Sequence, residues 1–344
     1  MIRGFRVGVV GGGYGQAVQV PAFRSVPGVS VDAICASTGE RARAFADRLG
    51  IPRSTGDWRE LVRDPELDAV AVSVPPPVQA PILQAAIAAG KHVFAEKPLA
   101  MSAADARAIV EAARTAGVVG ALDFEFRELS AWQRTRALLA DGAIGPVRHA
   151  YYSWRIETYG HRENLVNWKR DAAGGGGTLN QFGSHALDSI VWLFGPARVR
   201  SAHLFRASAG TADARVEALL EAGEGIPVSL SMAADAPSGS GHRLEIYGDA
   251  GALVLENRGS DYASGFTLAL GRRGGPLAPV EIEPFPPGSD GRIVATGRVV
   301  RRFVEAITAG ARTVTPGLED GLRVQELIDA IRAADRDFPW PTQS

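Results

Sequence analysis

Short apolar segments alternate with helical segments over the first 124 residues of the chain. The predicted strands begin at Phe5, Val29, Ala69, Val93 and Val118, and stretches with helical spacing of apolar residues separate them. A parallel pair of strands needs a crossover connection, and a helix of this length supplies it. The alternation therefore predicts an α/β domain with a doubly wound parallel sheet.

In such a sheet the turns that follow the strands lie along one edge, where ligands bind. Right-handed crossovers would bring Gly11–Gly15, Pro75–Pro77 and Glu96–Pro98 to that edge. Three consecutive prolines cannot continue a central strand, so the chain must leave the sheet at Pro75. We therefore expect the binding residues of the first half to follow the strands directly.

The first of these turns is rich in glycine and lies between a strand and a helix. Gly11 would allow the tight turn, and Gly13 would let the backbone approach a pyrophosphate. Tyr14 and Gly15 complete the turn, although a full fingerprint has glycine or alanine where Gln16 stands. The alternative is a turn that only closes a strand–helix unit. The flanking strand and helix favour dinucleotide binding in a Rossmann domain.

The second strand ends at Ser37 and Thr38, without the carboxylate that usually holds the ribose hydroxyls of NAD. Asp32 lies too far back in the strand, and Glu40 opens the next helix. The two hydroxyls, with the guanidinium of Arg41, could instead hold a 2′-phosphate. The segment predicts NADP or NAD as the cofactor, with NADP favoured. The alternative is that Arg41 is only a solvated helix residue.

Glu96, Lys97 and Pro98 follow a buried strand at the same edge. Pro98 favours an extended backbone at Lys97, which fixes the direction of the lysine side chain. Lysine is scarce, since only three of the 37 basic residues are lysines and the others are arginines. A lysine at this position suggests a side chain that must be able to lose its proton, which arginine cannot do. The alternative is a lysine that only pairs with Glu96.

The composition limits the class of protein. A chain of 344 residues, 46% of them apolar, suits two domains with buried cores, and its net charge of −1 gives no basis for binding nucleic acid or an anionic membrane. The single cysteine, Cys35, excludes an internal disulfide and suits a reducing compartment. The first apolar run is too short and too early for a signal peptide, and no stretch approaches the ~20 apolar residues of a membrane span. We therefore expect a cytoplasmic protein.

The second half has a different pattern. Short alternating segments run from Ala197 to Ile282 and predict a large, mostly antiparallel sheet with one face left open. An uncovered sheet face favours a homodimer or homotetramer formed through that face. The predicted domains are residues 1–124, for the dinucleotide, and residues 125–344, an α+β domain for substrate binding and oligomerisation. We also expect the C-terminal helices to pack back on the first domain.

Four glycines, Gly174–Gly177, form a predicted flexible run before a helix that carries Gln181, His185 and Asp188. On an α-helix these three polar side chains are spaced i, i+4 and i+7 and share one face. His185 suits an acid/base group, and a histidine that only packs and hydrogen-bonds is the alternative. No second histidine, cysteine or carboxylate cluster has metal-ligand spacing around it, so we expect no metal site.

Together these segments resemble the glucose–fructose oxidoreductase/inositol dehydrogenase/rhizopine-catabolism family over nearly the whole chain. The resemblance rests on Val9–Gly15, on Ala89–Val93 with Glu96–Leu99, and on Gly176–Leu179 with Gly183–Asp188. It implies a Rossmann domain, a second domain with an open sheet, and oligomers packed through that sheet. It also implies nicotinamide-linked oxidation or reduction of sugars, cyclitols or related carbonyl compounds.

The resemblance also implies roles for individual residues. Lys97 would donate a hydrogen bond to the reacting substrate oxygen, and His185 would take or return its proton, with Gln181 in support. The candidate cofactor-binding residues are Gly11, Gly13, Tyr14, Gly15, Ser37, Thr38, Arg41, Pro75, Glu96 and Lys97. The candidate substrate-binding residues are Lys97, Tyr159, Trp168, Lys169, Gln181 and His185, with Arg155, Asn164 and Arg170 nearby in sequence. For the aromatic and basic residues among them, ordinary packing and a solvated basic face are the alternative.

Two positions depart from the pattern of the family. Many members carry aspartate where this chain has Gln181, and a neutral amide cannot stabilise a cationic partner as a carboxylate does. Many also carry histidine where this chain has Gln79. These departures keep open a second hypothesis, a catalytically silent dinucleotide-binding regulatory protein of the same fold. The presence of both Lys97 and His185 favours the enzyme.

Overall fold

The computed structural model describes residues 4–208, 210–259 and 261–335. These residues form two compact units. The first contains the residues up to Leu129 and the segment Phe285–Gln325, and the second contains Ser130–Pro284 and the residues from Glu326 onward. Within the described ranges, no helix is both long and apolar enough to cross a membrane.

A parallel sheet forms the centre of the first unit. Its six strands among the described residues are β1 (Phe5–Val10), β2 (Val29–Cys35), β3 (Arg53–Thr55), β4 (Ala69–Val72), β5 (His92–Ala95) and β6 (Gly120–Leu122). The helices that connect them are α1 (Val20–Arg24), α2 (Gly39–Leu49), α3 (Trp58–Arg63), α4 (Pro76–Ala88) and α5 (Ala103–Ala116). The strand order β3-β2-β1-β4-β5-β6 is that of a dinucleotide-binding doubly wound sheet.

Several elements of this unit differ from those predicted, and β6, for example, begins at Gly120 rather than Val118. β3 was not predicted, because three residues are too few to show a period of apolar side chains. β4 ends at Val72 rather than Val74, and α4 begins at Pro76 rather than Val78. Proline lacks the N–H that a central strand needs but fits the first turn of a helix.

An eight-stranded sheet forms the centre of the second unit, counted over the described residues. In chain order the elements are α6 (Ser130–Ala140), β7 (Val147–Arg155), α7 (Tyr159–Arg162), α8 (Ser184–Phe194), β8 (Ala197–Phe205), β9 (Arg215–Ala222), β10 (Ile226–Ala233), β11 (Gly241–Gly248), β12 (Gly251–Asn257), β13 (Thr267–Arg272) and β14 (Leu277–Pro279). The strand order is β14-β13-β12-β11-β7-β10-β9-β8. β10 and β7 run parallel and the other pairs run antiparallel, so the prediction of a mostly antiparallel sheet is confirmed.

The two faces of this sheet differ in burial. In β7, Ala150, Tyr152 and Trp154 are buried, whereas Tyr151 is 49% exposed. Trp132 of α6 lies beside Tyr152, so the helices cover the face to which the buried side chains point. The opposite face is left uncovered by the described residues of this unit.

Two long helices follow the second sheet, α9 (Gly291–Thr308) and α10 (Leu318–Ala334). α9 begins well before the predicted Arg298, because the Asp290 carboxylate accepts a hydrogen bond from the backbone N of Arg292 and caps the helix. Gly297 weakens the helical signal in the sequence. A Cβ at this position would lie 2.8 Å from Oγ of Ser25, so a larger residue would require that side chain to move.

α9 packs into the core of the first unit through Phe303, which is fully buried. Its ring makes edge contacts with Phe5 and Phe94, and Phe94 makes an edge contact with Phe23. Truncating such a buried ring to alanine costs ~3–5 kcal/mol of stability. The segment that follows the second sheet is therefore part of the hydrophobic core built on β1 to β6.

Candidate functional site

The carboxyl ends of four strands in the first unit are aligned. Val10, Val72, Ala95 and Leu122 pair in register as the last residues of β1, β4, β5 and β6. The turns that follow them start side by side, at the edge where doubly wound sheets bind ligands. They carry the glycine turn, the proline segment, the Glu–Lys–Pro segment and Asp123.

Gly11 is the tightest point of the glycine turn. Its φ is +144°, and a Cβ here would lie 2.1 Å from the carbonyl oxygen of Ser73, so only glycine fits. Gly13 has the opposite surroundings, since a Cβ there would meet no atom within 4 Å. The backbone at Gly13 thus faces open space that a phosphate group could fill. Gly15 packs closely again, with its Cβ position 3.3 Å from Val9.

Tyr14 and Pro75 lie at the starts of the helical segments that follow two of these turns. Tyr14 precedes a π turn over Gly15–Gln19, and π turns occur frequently at functional sites. The Tyr14 hydroxyl lies 3.3 Å from Oγ1 of Thr296 in α9. Pro75 is the N-cap residue of α4. Helix α9 thus contacts the glycine turn from within the same unit.

Ser37, Thr38 and Arg41 form a group at the end of β2. Oγ1 of Thr38 accepts a hydrogen bond from the backbone N of Arg41 at 3.3 Å, which caps α2. The Arg41 guanidinium donates to Oγ of Ser37 at 3.2 Å. Ser37, Thr38 and Arg41 are all exposed to solvent.

Cys35 is the buried last residue of β2. Burial, and then the charges of Asp57 and Glu60, raise the pKa of its thiol to about 11. The thiol therefore stays protonated at neutral pH. The two carboxylates bind their own segment, because Asp57 caps α3 and Glu60 accepts a hydrogen bond from Thr55 at 2.6 Å.

The chain leaves β5 through Glu96 and a cis peptide bond between Lys97 and Pro98. The backbone N of Lys97 donates to the Glu96 carboxylate at 3.1 Å. Nε2 of the buried Gln79 donates to the carbonyls of Glu96, Pro98 and Leu99 at 2.6, 2.9 and 3.2 Å. Three acceptors around one atom identify it as the amide nitrogen. Gln79 therefore holds the backbone on both sides of Lys97, which the sequence pattern did not predict.

Asp123 follows β6 directly and is fully buried, and sequence analysis missed it. Its backbone N donates to the carbonyl of Ala95 at 2.9 Å, next to Glu96. Burial, and then the charge of Glu96, raise the pKa of Asp123 well above its ordinary value. Burial also raises the pKa of Glu96 to about 7, and the charge of Lys97 partly offsets it. The rule that ligands lie beyond the ends of parallel strands, applied to β6, would have pointed to Asp123.

In the second unit, the prediction of a flexible run at Gly174–Gly177 is wrong. A Cβ at Gly176 would lie 2.4 Å from the carbonyl of Lys169. Gly177 has a φ of +107°, and a Cβ there would lie 2.4 Å from Oδ1 of the buried Asp213. The glycines are required by close packing, because no side chain fits between these backbones.

Gln181 lies in a π turn that precedes α8. Its Nε2 donates to the carbonyls of Lys169 and Gly177 at 3.0 and 3.3 Å. A carboxylate has no proton to donate, so an amide suits these two acceptors better than aspartate would. The predicted α-helical spacing fails at Gln181, because a π turn holds more residues than an α turn. His185 and Asp188 lie in α8 proper, and both are buried.

His185 lies beside an aromatic cluster in the second unit. Its ring centroid lies 6.4 Å from that of Trp154, which stacks on Phe182 at 4.5 Å and on His242 at 4.3 Å. Nε2 of His242 lies 2.6 Å from the Tyr152 hydroxyl. Burial lowers the pKa of His242 to about 3, so this second histidine is neutral.

Tyr159, Trp168 and Lys169 lie on an exposed segment of the second unit. Tyr159 is 63% exposed and Trp168 is 38% exposed. Nζ of Lys169 lies 5.9 Å from the Trp168 ring centroid, and the Lys169 carbonyl is bound by Gln181. The segment is therefore joined to the π turn before α8.

The remaining candidates separate into two places. Arg170 donates to Oδ1 of Asn164 at 2.7 Å within the exposed segment. Arg155 instead lies on the uncovered face of the sheet, where it donates to Ser231. Among residues 4–208, 210–259 and 261–335, no group of three or more histidine, cysteine or carboxylate side chains is suited to a metal ion.

Comparison with known proteins identifies the family. Residues 5–124 match the family described as oxidoreductase family, NAD-binding Rossmann fold, and residues 132–254 match the GFO/IDH/MocA C-terminal domain. An uncharacterized oxidoreductase from Synechocystis is 32% identical over 352 residues, which cover 97% of this chain and 95% of the relative. The chain belongs to the GFO/IDH/MocA oxidoreductase family. The predicted family, its fold class and its activity as an NAD(P)-linked oxidoreductase are confirmed.

Other members of the GFO/IDH/MocA family are similar over the whole chain. A dTDP-3,4-didehydro-2,6-dideoxy-alpha-D-glucose 3-reductase from Streptomyces violaceoruber is 31% identical, with 97% of this chain and 96% of the relative covered. The structure of a levoglucosan dehydrogenase in complex with NADH and levoglucosan has a TM-score of 0.87 at 23% identity, with coverages of 96% and 97%. A 3-ketoreductase from Actinomadura kijaniata in complex with NADP and TDP-benzene has a TM-score of 0.84 at 24% identity, with coverages of 98% and 100%. At these identities the structural likeness shows the fold.

Proposed function

We propose that this GFO/IDH/MocA member transfers hydride between NADP(H) and a secondary alcohol or ketone of a sugar, a sugar derivative or a cyclitol. The observation that carries the proposal is the Lys97 turn, which Gln79 holds at the same sheet edge as the glycine turn. The sugar substrates in the names of the dTDP-sugar reductase and the levoglucosan dehydrogenase support the substrate class. We propose that residues 1–124 bind the cofactor and that residues 125–344 bind the substrate.

The edge of the first sheet suits a dinucleotide. Open space at Gly13 suits the pyrophosphate, and the hydroxyl and guanidinium groups at Ser37 and Arg41 suit a phosphorylated ribose. The bound nicotinamide would supply the hydride acceptor or donor. The proposed cofactor-binding residues are Gly11, Gly13, Tyr14, Gly15, Ser37, Thr38, Arg41, Pro75, Glu96 and Lys97.

Lys97 and His185 carry the proton chemistry in this proposal. The Lys97 ammonium donates a hydrogen bond to the substrate oxygen and stabilises negative charge that grows on it. His185 accepts the hydroxyl proton when the alcohol is oxidised and returns it when the ketone is reduced. Gln181 supports them by fixing the Lys169 carbonyl and the backbone before α8.

The exposed segment with Tyr159, Trp168 and Lys169 is the proposed substrate-binding surface of the second unit. Large exposed aromatic rings suit the apolar faces of sugar rings, and the lysine suits hydroxyl or phosphate oxygens. A panel of free, phosphorylated and nucleotide-linked sugars and cyclitols, followed by nicotinamide absorbance, would identify the substrate. A protein that binds the dinucleotide but turns over no member of the panel would instead support the regulatory hypothesis.

The substitution Arg41→Ala should lower kcat/KM for NADPH by about tenfold to a hundredfold and leave that for NADH unchanged. The reason is that a hydrogen bond to a charged group contributes ~1.5–3 kcal/mol, which the 2′-phosphate alone would receive. Steady-state kinetics with both cofactors on the best substrate of the panel would measure it.

Arg43→Ala is the matched control, because Arg43 is an exposed arginine on the same helix α2. It removes the same charge and should leave both cofactors unaffected. Equal wild-type kcat/KM for NADPH and NADH, or a preference for NADH, would contradict the proposed cofactor preference.

We propose that the uncovered face of the second sheet forms a homodimer or homotetramer. Its exposed Tyr151 lies in a cluster with His149 and Tyr247, in which the two latter rings stack at 4.9 Å. Exposed aromatic clusters on one sheet face are typical of interfaces. We also propose a cytoplasmic location, because the single cysteine, Cys35, cannot form an internal disulfide and suits a reducing compartment.

The substitution Tyr151→Glu should shift the protein toward the monomer, because each copy would bury a carboxylate in the shared face. Sedimentation velocity over a range of concentrations would measure the shift. Leu277→Glu is the control, since Leu277 is an exposed apolar residue on the edge strand β14. Equal dissociation in both variants, or none in either, would contradict an interface at Tyr151.

A further inference from the structure

Two carboxyl groups lie next to each other behind Lys97. Ala95 and Leu122 pair in register at the ends of β5 and β6, so Glu96 and Asp123 follow them as neighbours. Asp123 is fully buried, and the Glu96 carboxylate accepts a hydrogen bond from the Lys97 backbone N at 3.1 Å. Glu96 is proposed above only as a cofactor-binding residue, and Asp123 has no role in the chemistry proposed for Lys97 and His185.

A threonine from a distant part of the chain sets the orientation of Asp123. Oγ1 of Thr296 donates to Oδ2 of Asp123 at 3.2 Å. A hydroxyl has one proton to donate, so Thr296 can only accept from the Tyr14 hydroxyl, which lies 3.3 Å away. The hydrogen bonds therefore run from Tyr14 to Thr296 to Asp123. Oδ2 of Asp123 is an acceptor, which leaves Oδ1 to carry a proton.

The charges around Asp123 favour that proton. The charged groups that face it are Glu96 and Lys97 at the end of β5 and Glu125 after β6, and α9 presents the neutral Thr296 hydroxyl. If Asp123 and Glu96 were both ionised, two negative charges would lie side by side in a buried place. Two like charges this close repel each other, and of two adjacent acids one normally keeps its proton.

We propose that Asp123 is a positioning residue for Lys97: it stays protonated, donates its hydrogen bond to the Glu96 carboxylate, and so fixes the carboxylate that holds the Lys97 backbone. The inference rests on the proposed role of Lys97. Burial and the charge of Glu96 raise the pKa of Asp123 well above its ordinary value, as a proton held at neutral pH requires.

The arrangement gives Lys97 one ionised partner instead of two. Burial raises the pKa of Glu96 to about 7, so the pair carries two protons in acid and one proton above neutral pH. Lys97 then faces a single negative charge in a fixed position. The hydroxyl series from Tyr14 also connects this pair to the turn that is proposed to hold the dinucleotide.

Infrared difference spectroscopy of the whole protein tests the protonation state directly. The spectrum of the wild type minus that of Asp123→Asn, recorded just above neutral pH, should contain the C=O band of one protonated carboxyl group. A difference that contains only carboxylate bands would overturn the proposal. The measurement needs no substrate, so it does not depend on the proposed function.

The three lysines allow a second measurement. Reductive ¹³C-methylation gives each lysine its own NMR resonance, and Lys97→Met identifies that of Lys97. Asn is neutral like a protonated Asp, so Asp123→Asn should leave the Lys97 resonance close to its wild-type chemical shift above neutral pH, whereas the loss of an ionised neighbour would displace it. Such a displacement would overturn the proposal.

Thr296→Val tests the same inference if Asp123→Asn does not fold. Removal of the hydroxyl should shift the protonated carboxyl band, because Asp123 loses a hydrogen bond at Oδ2, and should lower kcat by about threefold to tenfold. Thr308→Val is the control, since Thr308 is an exposed threonine of α9 that bonds only its own helix at Val304. An unchanged band in Thr296→Val would contradict the proposed orientation of Asp123.

Discussion

The substitution Lys97→Met should lower kcat and kcat/KM on the best substrate together, by about 10²- to 10⁴-fold. Methionine keeps the unbranched apolar stem of lysine but has no ammonium. It therefore cannot donate a hydrogen bond to the substrate oxygen, and that bond strengthens as negative charge grows during hydride transfer. Nicotinamide absorbance under saturating cofactor measures both constants.

Lys91→Met is a matched control for this substitution. Nζ of the buried Lys91 donates to the carbonyls of Asp64 and Leu67, both at 2.7 Å, so its role is structural. We expect a lower Tm with kcat unchanged, the reverse of the result for Lys97. Full turnover by Lys97→Met would show that the proposed mechanism is wrong and that the proton chemistry lies elsewhere.

The substitution His185→Asn should lower kcat by about 10²- to 10⁴-fold, because the proton of the alcohol then has no base to accept it. A general base works in its neutral form, so oxidation by the wild type should speed up as pH rises. That dependence should disappear from the pH profile of kcat in the variant. Profiles in the reduction direction should change in the opposite sense, since the ketone needs the protonated form.

His242→Asn is the control for His185→Asn, because it removes a buried histidine that has a packing role. Burial lowers the pKa of His242 to about 3, so this histidine stays neutral and cannot produce a pH dependence near neutrality. Its replacement should lower Tm, because the hydrogen bond with Tyr152 and the stack on Trp154 are lost, and leave the pH profile unchanged. If His242→Asn abolished the pH dependence and His185→Asn kept it, the assignment of the base would be wrong.

Helix and strand boundaries with strong local signals were predictable. The sequence predicts a helix over Ala103–Ala116, and α5 has these bounds, because Ser102 caps its first turn and Gly117 adopts the left-handed conformation at its end. A run of β-branched and apolar residues predicts a strand over Val29–Cys35, and β2 has these bounds. Where the local signal was absent, as in the three residues of β3, the prediction failed.

The role of a glycine was predicted correctly in one segment of this chain and wrongly in another. The turn at Gly11 was interpreted correctly as a tight turn, because a strand and a helix on either side define what the glycine must do. The run at Gly174–Gly177 was interpreted as flexible, yet Lys169 and Asp213 pack against it. A glycine that is required by a contact with a distant residue cannot be distinguished, from the sequence alone, from a glycine in a flexible loop.

The sequence by itself determined the two kinds of sheet, the edge that carries Glu96 and Lys97, and the family, because period, turn chemistry and motif spacing are local properties of a chain. Only the tertiary structure decided how Lys97 is held. Gln79 reaches it across the sheet edge, and Thr296 reaches Asp123 over a separation of 173 residues. Such contacts depend on how distant helices pack against the sheet. The local sequence does not show which buried donor will contact which buried acceptor.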